Sequence, residues 1–271
     1  MKNNIYFFFI IIIVSFSGCE KVIDVDLDTA APRLVIDAQI KWQKGTNGHS
    51  QIIKLSTTTG YYETLVPKVS GATVFVTDSK GNVFNFIETT ENGDYKCEQF
   101  IPALNGDYTL TVLYKNQAYT ATETLKPVPK IEQITDKESD GFSGKYIQIN
   151  AFYIDNAATD DFYLFRYKAS TDIIPTYDVS EDEFYQGNLI FGIYISDKLV
   201  KGQNIDITLS GISERYFNYM SKIISISSAG GPFQSPPASL RGNIINTTDE
   251  NNYALGYFSL SEADTRNHII Q

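Results

Sequence analysis

Polar and apolar residues alternate with a period of two along most of this chain, in runs so short and so closely punctuated by turn residues that only a stack of short β-strands can use them. From Arg33 onward, Leu34, Ile36, Ala38 and Ile40 fall on one side, and Arg33, Asp37, Gln39 and Lys41 on the other. That is the pattern of a strand with one buried face. Similar runs follow at Gln51–Leu55, Ala72–Thr77, Val83–Glu88, Asp107–Lys115 and Ala118–Thr124, with turn signals at Ser79-Lys80-Gly81-Asn82 and Asn116-Gln117. Strands at that density predict a sandwich. Asn92-Gly93-Asp94-Tyr95 and Asn105-Gly106-Asp107-Tyr108 echo one another, each a turn that delivers a Tyr into a strand. The second has the form of the tyrosine corner of immunoglobulin-like domains, with Leu110 where those domains often place a Cys.

Lys126-Pro127-Val128-Pro129-Lys130 interrupts the alternation, and two prolines one residue apart favour a stiff, extended connector. Beyond it, Lys145–Ile154, Phe162–Lys168, Leu189–Ser196, Asn204–Leu209 and Tyr253–Ser259 predict further strands. One segment changes period. Between Gly211 and Ser227, Ile212, Tyr216, Tyr219, Met220, Ile223 and Ile224 recur every three or four residues opposite Glu214, Arg215, Asn218 and Lys222, which predicts an amphipathic helix stopped by Gly230-Gly231-Pro232. The expected fold is mainly β: an N-terminal immunoglobulin-like β-sandwich over 32–126, a linker at 127–130, and a second β-rich domain over 131–271 with one helix at about 211–227.

The start of the chain sets its expected address. Met1-Lys2-Asn3-Asn4 is followed by an unbroken apolar run from Ile5 to Val14 and then by Ser15-Phe16-Ser17-Gly18-Cys19. That is the layout of a secretory leader, too short to remain as a membrane span. Small residues immediately before a Cys form a lipobox, so residues 1–18 are expected to be removed. Residues 19–31 are then a tether whose Cys19 thiol carries the lipid. With Cys19 acylated, Cys97 has no partner in the chain; it shares a parity with Tyr95 and is expected to be a buried small hydrophobe.

A net charge of −10 excludes a general affinity for nucleic acid, and leaves the lipid to do the anchoring. Two Cys and two His leave little material for a zinc site, and no nucleophile elbow, zincin, dinucleotide or phosphate-loop motif is present. His49, in a Gly- and Asn-rich stretch, and His268, close to the C-terminus, are both expected to be solvated loop residues. No cofactor or metal is implied. Asp24, Asp26 and Asp28 are spaced like a calcium loop but have Thr29 where its Gly belongs, and fit a solvated face. Asp155, Asp160, Asp161 and the run Glu181-Asp182-Glu183 could form a cation site or a glycosidase pair if loops brought them together; otherwise they keep a β protein soluble. Tyr61-Tyr62 could offer an aromatic surface. The stiff segment from Gly230 to Ile244 supplies the candidate partner-binding loop, Phe233, Pro236, Pro237, Arg241 and Asn243, or it closes the second domain.

Further landmarks occur in a recognisable order: Cys19-Glu20-Lys21-Val22-Ile23-Asp24, Arg33-Leu34-Val35-Ile36-Asp37, Phe152-Tyr153-Ile154-Asp155 with Phe162-Tyr163, Asp182-Glu183-Phe184-Tyr185-Gln186-Gly187, Tyr216 to Tyr219, Pro232-Phe233 through Pro236-Pro237 to Gly242-Asn243-Ile244, and Leu255-Gly256-Tyr257-Phe258-Ser259. In these the chain resembles the Bacteroidota lipoprotein family called domain of unknown function 4249. The resemblance implies an outer-membrane lipoprotein, often associated with TonB-dependent transporters, and brings over no catalytic residue. The expected function is therefore a lipid-anchored, non-catalytic binding or accessory protein of the cell envelope, on its periplasmic or outer side, with an unidentified small-molecule or glycan ligand. The alternatives are a carboxylate-dependent hydrolase of glycans, and a scaffold or adhesin.

Overall fold

The alternation from Arg33 becomes strand β1 (Leu34–Gln43), whose Leu34, Ile36, Ala38 and Ile40 are all buried. The computed structural model describes residues 31–60, 63–141, 144–182, 187–228 and 240–271. The leader, Cys19, the Asp24-Asp26-Asp28 tether, Tyr61, Tyr62, Glu183, Phe233, Pro236 and Pro237 lie outside these. The following strands are β2 (Gln51–Thr57), β3 (Thr73–Asp78), β4 (Val83–Glu88), β5 (Asp94–Cys97), β6 (Asp107–Tyr114) and β7 (Gln117–Thr124). β1, β2 and β5 form one layer, and β4, β3, β6 and β7 the other, joined along one edge by pairing of Ile87 with Lys96 and Glu88 with Tyr95. This is an immunoglobulin-like sandwich. Ile36, Ile40, Ile53, Leu55, Val76, Leu110 and Val112 fill its centre with Phe100, Tyr95 and Tyr108. Cys97 is buried and unpaired in this core, where burial pushes its thiol pKa up.

Both echoed turns do the same mechanical work. Tyr108 Oη donates to Ile101 O at 2.9 Å and accepts from Ala103 N at 2.8 Å, so the corner expected from sequence is present. Tyr95 Oη donates to Val69 O and accepts from Ala72 N, each at 3.0 Å.

The second sandwich places β8 (Ile131–Gly141), β9 (Gly144–Ile154) and β12 (Leu189–Ser196) opposite β10 (Phe162–Ala169), β11 (Thr176–Glu181), β13 (Asn204–Ile212) and the far half of β15 (Leu255–Ile269). Tyr153, Tyr163, Phe165, Tyr167, Ile149 and Ile207 pack between the layers. β14 (Ile245–Asn246) is a two-residue strand paired to β7. The helix α1 (Glu214–Ser228) covers the outer face of β10 and β11 through Tyr216 and Met220. It begins three residues later than the periodicity predicts, because Gly211 and Ile212 stay in β13, paired with Tyr163 and Phe162. Ser213 then caps it, its Oγ accepting from Tyr216 N at 3.2 Å.

The last strand departs most from expectation. β15 runs to Ile269, ten residues beyond the predicted end at Ser259, and it serves both sandwiches. Val35 to Gln43 pair with Leu255 to Ala263 in parallel, and Asn204 to Ser210 pair with Ile269 to Ala263 antiparallel. Ile244, Ala254, Phe258 and Leu260 consequently sit in the first core, although the sequence groups them with the second domain. Nor is 127–130 a free connector. Glu262 Oε2 accepts from Val128 N at 3.0 Å and from Lys44 Nζ at 2.8 Å, and Asp264 Oδ2 accepts from Ile131 N at 2.8 Å. Gly211 is needed beside this seam: a Cβ there would lie 1.8 Å from Pro127 O.

Candidate functional site

The helical period puts Arg215, Asn218, Tyr219 and Lys222 on one stripe of α1, and that stripe forms one wall of a groove of about 370 Å³. The opposite wall is the stretch from Leu240 to Asn243 with Ile245, and Tyr257 of β15 lies at its base. The Leu240–Asn243 wall lies close against β15 because residue 242 is glycine: a Cβ there would lie 1.7 Å from Gly256 O. Asn243 holds its segment in place as a strand would, its Nδ2 donating to Phe258 O at 2.8 Å and its Oδ1 accepting from Phe258 N at 2.9 Å. This amide bonds in both directions to the backbone of Phe258, which makes Asn243 a positioning residue.

Three cations line the groove, and they are not equally committed. Arg215 Nη2 donates to Thr122 O at 2.8 Å and lies 3.6 Å from Glu123 Oε1, the buried carboxylate behind the groove. Arg241 places its guanidinium 3.6 Å from the centre of the Tyr253 ring, and Arg33 lies 3.9 Å from the same centre. Two guanidiniums that close fit only on opposite faces of one ring. Among the described residues neither Lys222 nor Arg241 has a carboxylate partner. The neighbouring segment 229–239 contains no Asp or Glu in its sequence. Tyr219 and Tyr216 each lie 4.7 Å, centre to centre, from Tyr257. Burial, and then the Glu123 charge, hold the Tyr257 hydroxyl well above its ordinary pKa, so it stays protonated. Among the described residues, no carboxylate, histidine or cysteine lines the groove. It is equipped to hold an anion rather than to move protons.

A larger groove of about 920 Å³ crosses β4 and β5, but its only lysine, Lys96, is paired with Glu98 in the same groove, so charge does not converge there. The outer face of β12 and β9 exposes Leu189, Phe191, Ile193, Ile195 and Ile154, and its polar groups Gln148 and Asn150 are hydrogen-bonded to each other.

The second constellation is acidic. Asp155 follows β9, Asp161 precedes β10 and Asp182 follows β11, and one oxygen of each lies within 4.8 Å of the others. Asp155 accepts from Tyr163 Oη at 2.6 Å and from Gly187 N at 3.3 Å. Asp182 accepts from Asp161 N at 3.0 Å, and Asp161 from Thr159 Oγ1 at 2.8 Å. Burial, reinforced by Asp155 and Asp161, raises the Asp182 pKa above the ordinary carboxyl value. Three such carboxylates could hold a divalent, oxygen-seeking cation such as calcium. They make a poor glycosidase pair, because Asp155 and Asp182 are only 4% and 2% exposed and a sugar has no access to them.

A family model described as a domain of unknown function (DUF4249) matches residues 20–267, nearly the whole chain. The chain belongs to the DUF4249 family. No curated protein matches it. Among solved structures, a two-domain fibronectin type III segment of chicken tenascin is 12% identical, with a TM-score of 0.22, over 66% of this chain and 90% of that one. A cytokine receptor complex is 10% identical with a TM-score of 0.25, over 66% and 82% respectively. The first three fibronectin domains of chicken CNTN1 are 13% identical with a TM-score of 0.26, over 67% and 60%. None of the three bears on function.

In this DUF4249 protein, the residues singled out in sequence meet different fates. Arg241 and Asn243 of the candidate loop reach the groove. Asp155, Asp161 and Asp182 converge, while Asp160 and Glu181 are not among the three. His49 is exposed in a loop as expected. His268 is not: it lies within β15, paired to Ile205, with Nε2 2.6 Å from Asp136 Oδ1 on β8. Sequence reasoning missed Arg215, Lys222, Tyr219 and Tyr257 as site residues. The available signal was a pair of cations, Arg215 and Lys222, on the polar stripe of α1 in an acidic chain.

Proposed function

We propose that this DUF4249 chain is a lipid-anchored, non-catalytic binding or accessory protein of the cell envelope, tethered through Cys19 and working beside an outer-membrane TonB-dependent transporter. The observation that carries the binding reading is the groove at α1, which gathers cations and aromatic rings and, among its described residues, holds no acid–base pair or nucleophile. The apolar leader and the small residues before Cys19 support the tether. The burial of Asp155 and Asp182 weighs against the hydrolase reading.

The test has two parts. Cys19→Ser, expressed in the native host, is expected to move the protein from the membrane pellet to the soluble fraction; unchanged retention overturns the tether. Affinity capture of the intact protein is expected to recover a transporter. Recovery of none, together with normal nutrient uptake in a deletion strain, overturns the accessory role.

A further inference from the structure

We infer that the groove between α1 and the Leu240–Asn243 segment binds a small organic oxyanion, a carboxylate or phosphate group carried on a flat ring. The inference rests on the binding-protein reading above and adds the chemical class of the ligand. The first argument is charge. In a chain of net charge −10, Arg215, Lys222 and Arg241 are brought to one groove; of the carboxylates near it, Glu123 is buried and already engaged by Arg215, and Asp37, in the adjoining cavity beside Tyr219 and Tyr257, accepts from Gln39 Nε2 at 3.0 Å. Glu123 is also met by Thr124 N at 3.1 Å and Tyr257 Oη at 3.4 Å, so it does not offset the other two cations. Lys222 and Arg241 therefore have no carboxylate partner among the described residues and present their charge to whatever enters.

The second argument is shape. About 370 Å³ falls at the small end of ordinary ligand sites and suits one ring with one or two polar groups. Tyr219, half-buried at 4.7 Å from Tyr257, offers an aromatic edge or face on the wall that carries Lys222. A ring against Tyr219 leaves its oxyanion between the two walls, where the Lys222 ammonium serves as a point charge and the Arg241 guanidinium as a planar fork. Stacking on Tyr253 restrains Arg241, so its side chain loses less freedom when an anion arrives.

The test titrates the full-length protein in detergent with phenyl phosphate, inorganic phosphate and phenol, read by calorimetry at low salt. Phenyl phosphate is expected to bind most tightly, inorganic phosphate more weakly, and phenol at least about tenfold more weakly than phenyl phosphate. Lys222→Gln combined with Arg241→Gln should weaken phenyl phosphate by about tenfold or more, while Arg241→Lys, which keeps the charge but loses the planar fork and its stacking on Tyr253, should fall between the parent and the double variant. Tyr219→Leu should bring phenyl phosphate down to the level of inorganic phosphate. Lys222 and Arg241 are exposed, so the variants are expected to melt with the parent, and melting curves check this. Phenol binding as well as phenyl phosphate overturns the oxyanion assignment but leaves a binding groove. Full affinity in the double variant, or no saturable binding of either phosphate up to about 10 mM, overturns the site itself and leaves the Cys19 tether and the transporter association untouched.

Discussion

Tyr95 and Tyr108 occupy equivalent places in two copies of the same four-residue turn, yet the groups they hold differ in their access to water. Tyr108 bonds to the backbone of Ile101 and Ala103, both exposed, whereas Tyr95 bonds to the carbonyl of buried Val69. Removing the hydroxyl from Tyr108 lets water take its place; removing it from Tyr95 strands a buried acceptor. Chemical denaturation is therefore expected to show Tyr108→Phe costing about 1 kcal/mol and Tyr95→Phe costing more, about 2 kcal/mol. The motif was legible because it is local. Which copy sits over the drier loop was not, since that depends on chain more than twenty residues away. Asp182 makes a second case at this scale. Its carboxyl pKa is raised in the folded protein by burial and by Asp155 and Asp161. The native state thus holds this proton more tightly than the unfolded chain, a contribution full below the unfolded carboxyl pKa of about 4 and lost as pH rises through the raised native value. Asp182→Asn keeps an acceptor for Asp161 N and removes the charge. Urea melts across that pH range should give the variant a flatter profile than the parent, with its relative stability rising with pH; parallel profiles would contradict the shift.

At the scale of elements, α1 was legible from its apolar repeat because Tyr216, Met220 and Ile223 must reach β10 and β11 from one side. Its start was not, because Gly211 and Ile212 suit either period and pairing with β10 decides in favour of the strand. Ser213 ends that competition by capping. Ser213→Ala should cost about 1 kcal/mol and speed amide exchange in the first turn of α1 before it affects β13. β8 escaped notice for a different reason. It is an edge strand, Ile131-Glu132-Gln133-Ile134-Thr135-Asp136-Lys137-Glu138-Ser139-Asp140-Gly141, mostly solvated and bonded along one side to β9. Charge on an edge discourages pairing with other chains, and it also erases the alternation by which a strand is recognised.

Across the whole molecule, the shared strand is what joins the two sandwiches. Glu262 and Asp264 are buried on β15, where they fasten Val128 and Ile131 of the incoming chain, and Lys44 of the first sandwich closes the pair. Glu262→Ala leaves the buried Val128 N–H and the Lys44 ammonium without their carboxylate, at an expected cost of about 3 kcal/mol. The protein has one Trp, Trp42 on β1, partly buried against the first core. Its fluorescence reports that sandwich, while far-ultraviolet circular dichroism reports all strands. The two melting curves should coincide in the parent and separate in Glu262→Ala as the sandwiches uncouple. Coincident curves in the variant would show that β1–β15 pairing is sufficient to keep them as one unit.

Most of the short strands, the two tyrosine turns and the amphipathic helix α1 follow from the sequence, because each rests on neighbours a few residues apart, where periodicity and turn chemistry act. Tertiary structure alone decided that Leu255 to Ile269 is one strand serving two sandwiches, that His268 meets Asp136, that three aspartates from separate strand ends converge, and that Arg241 faces Lys222 across a groove. Those outcomes depend on contacts between residues far apart in the chain, and buried polar groups such as Glu262 and Asp264 find their partners only once distant backbone has been brought to them.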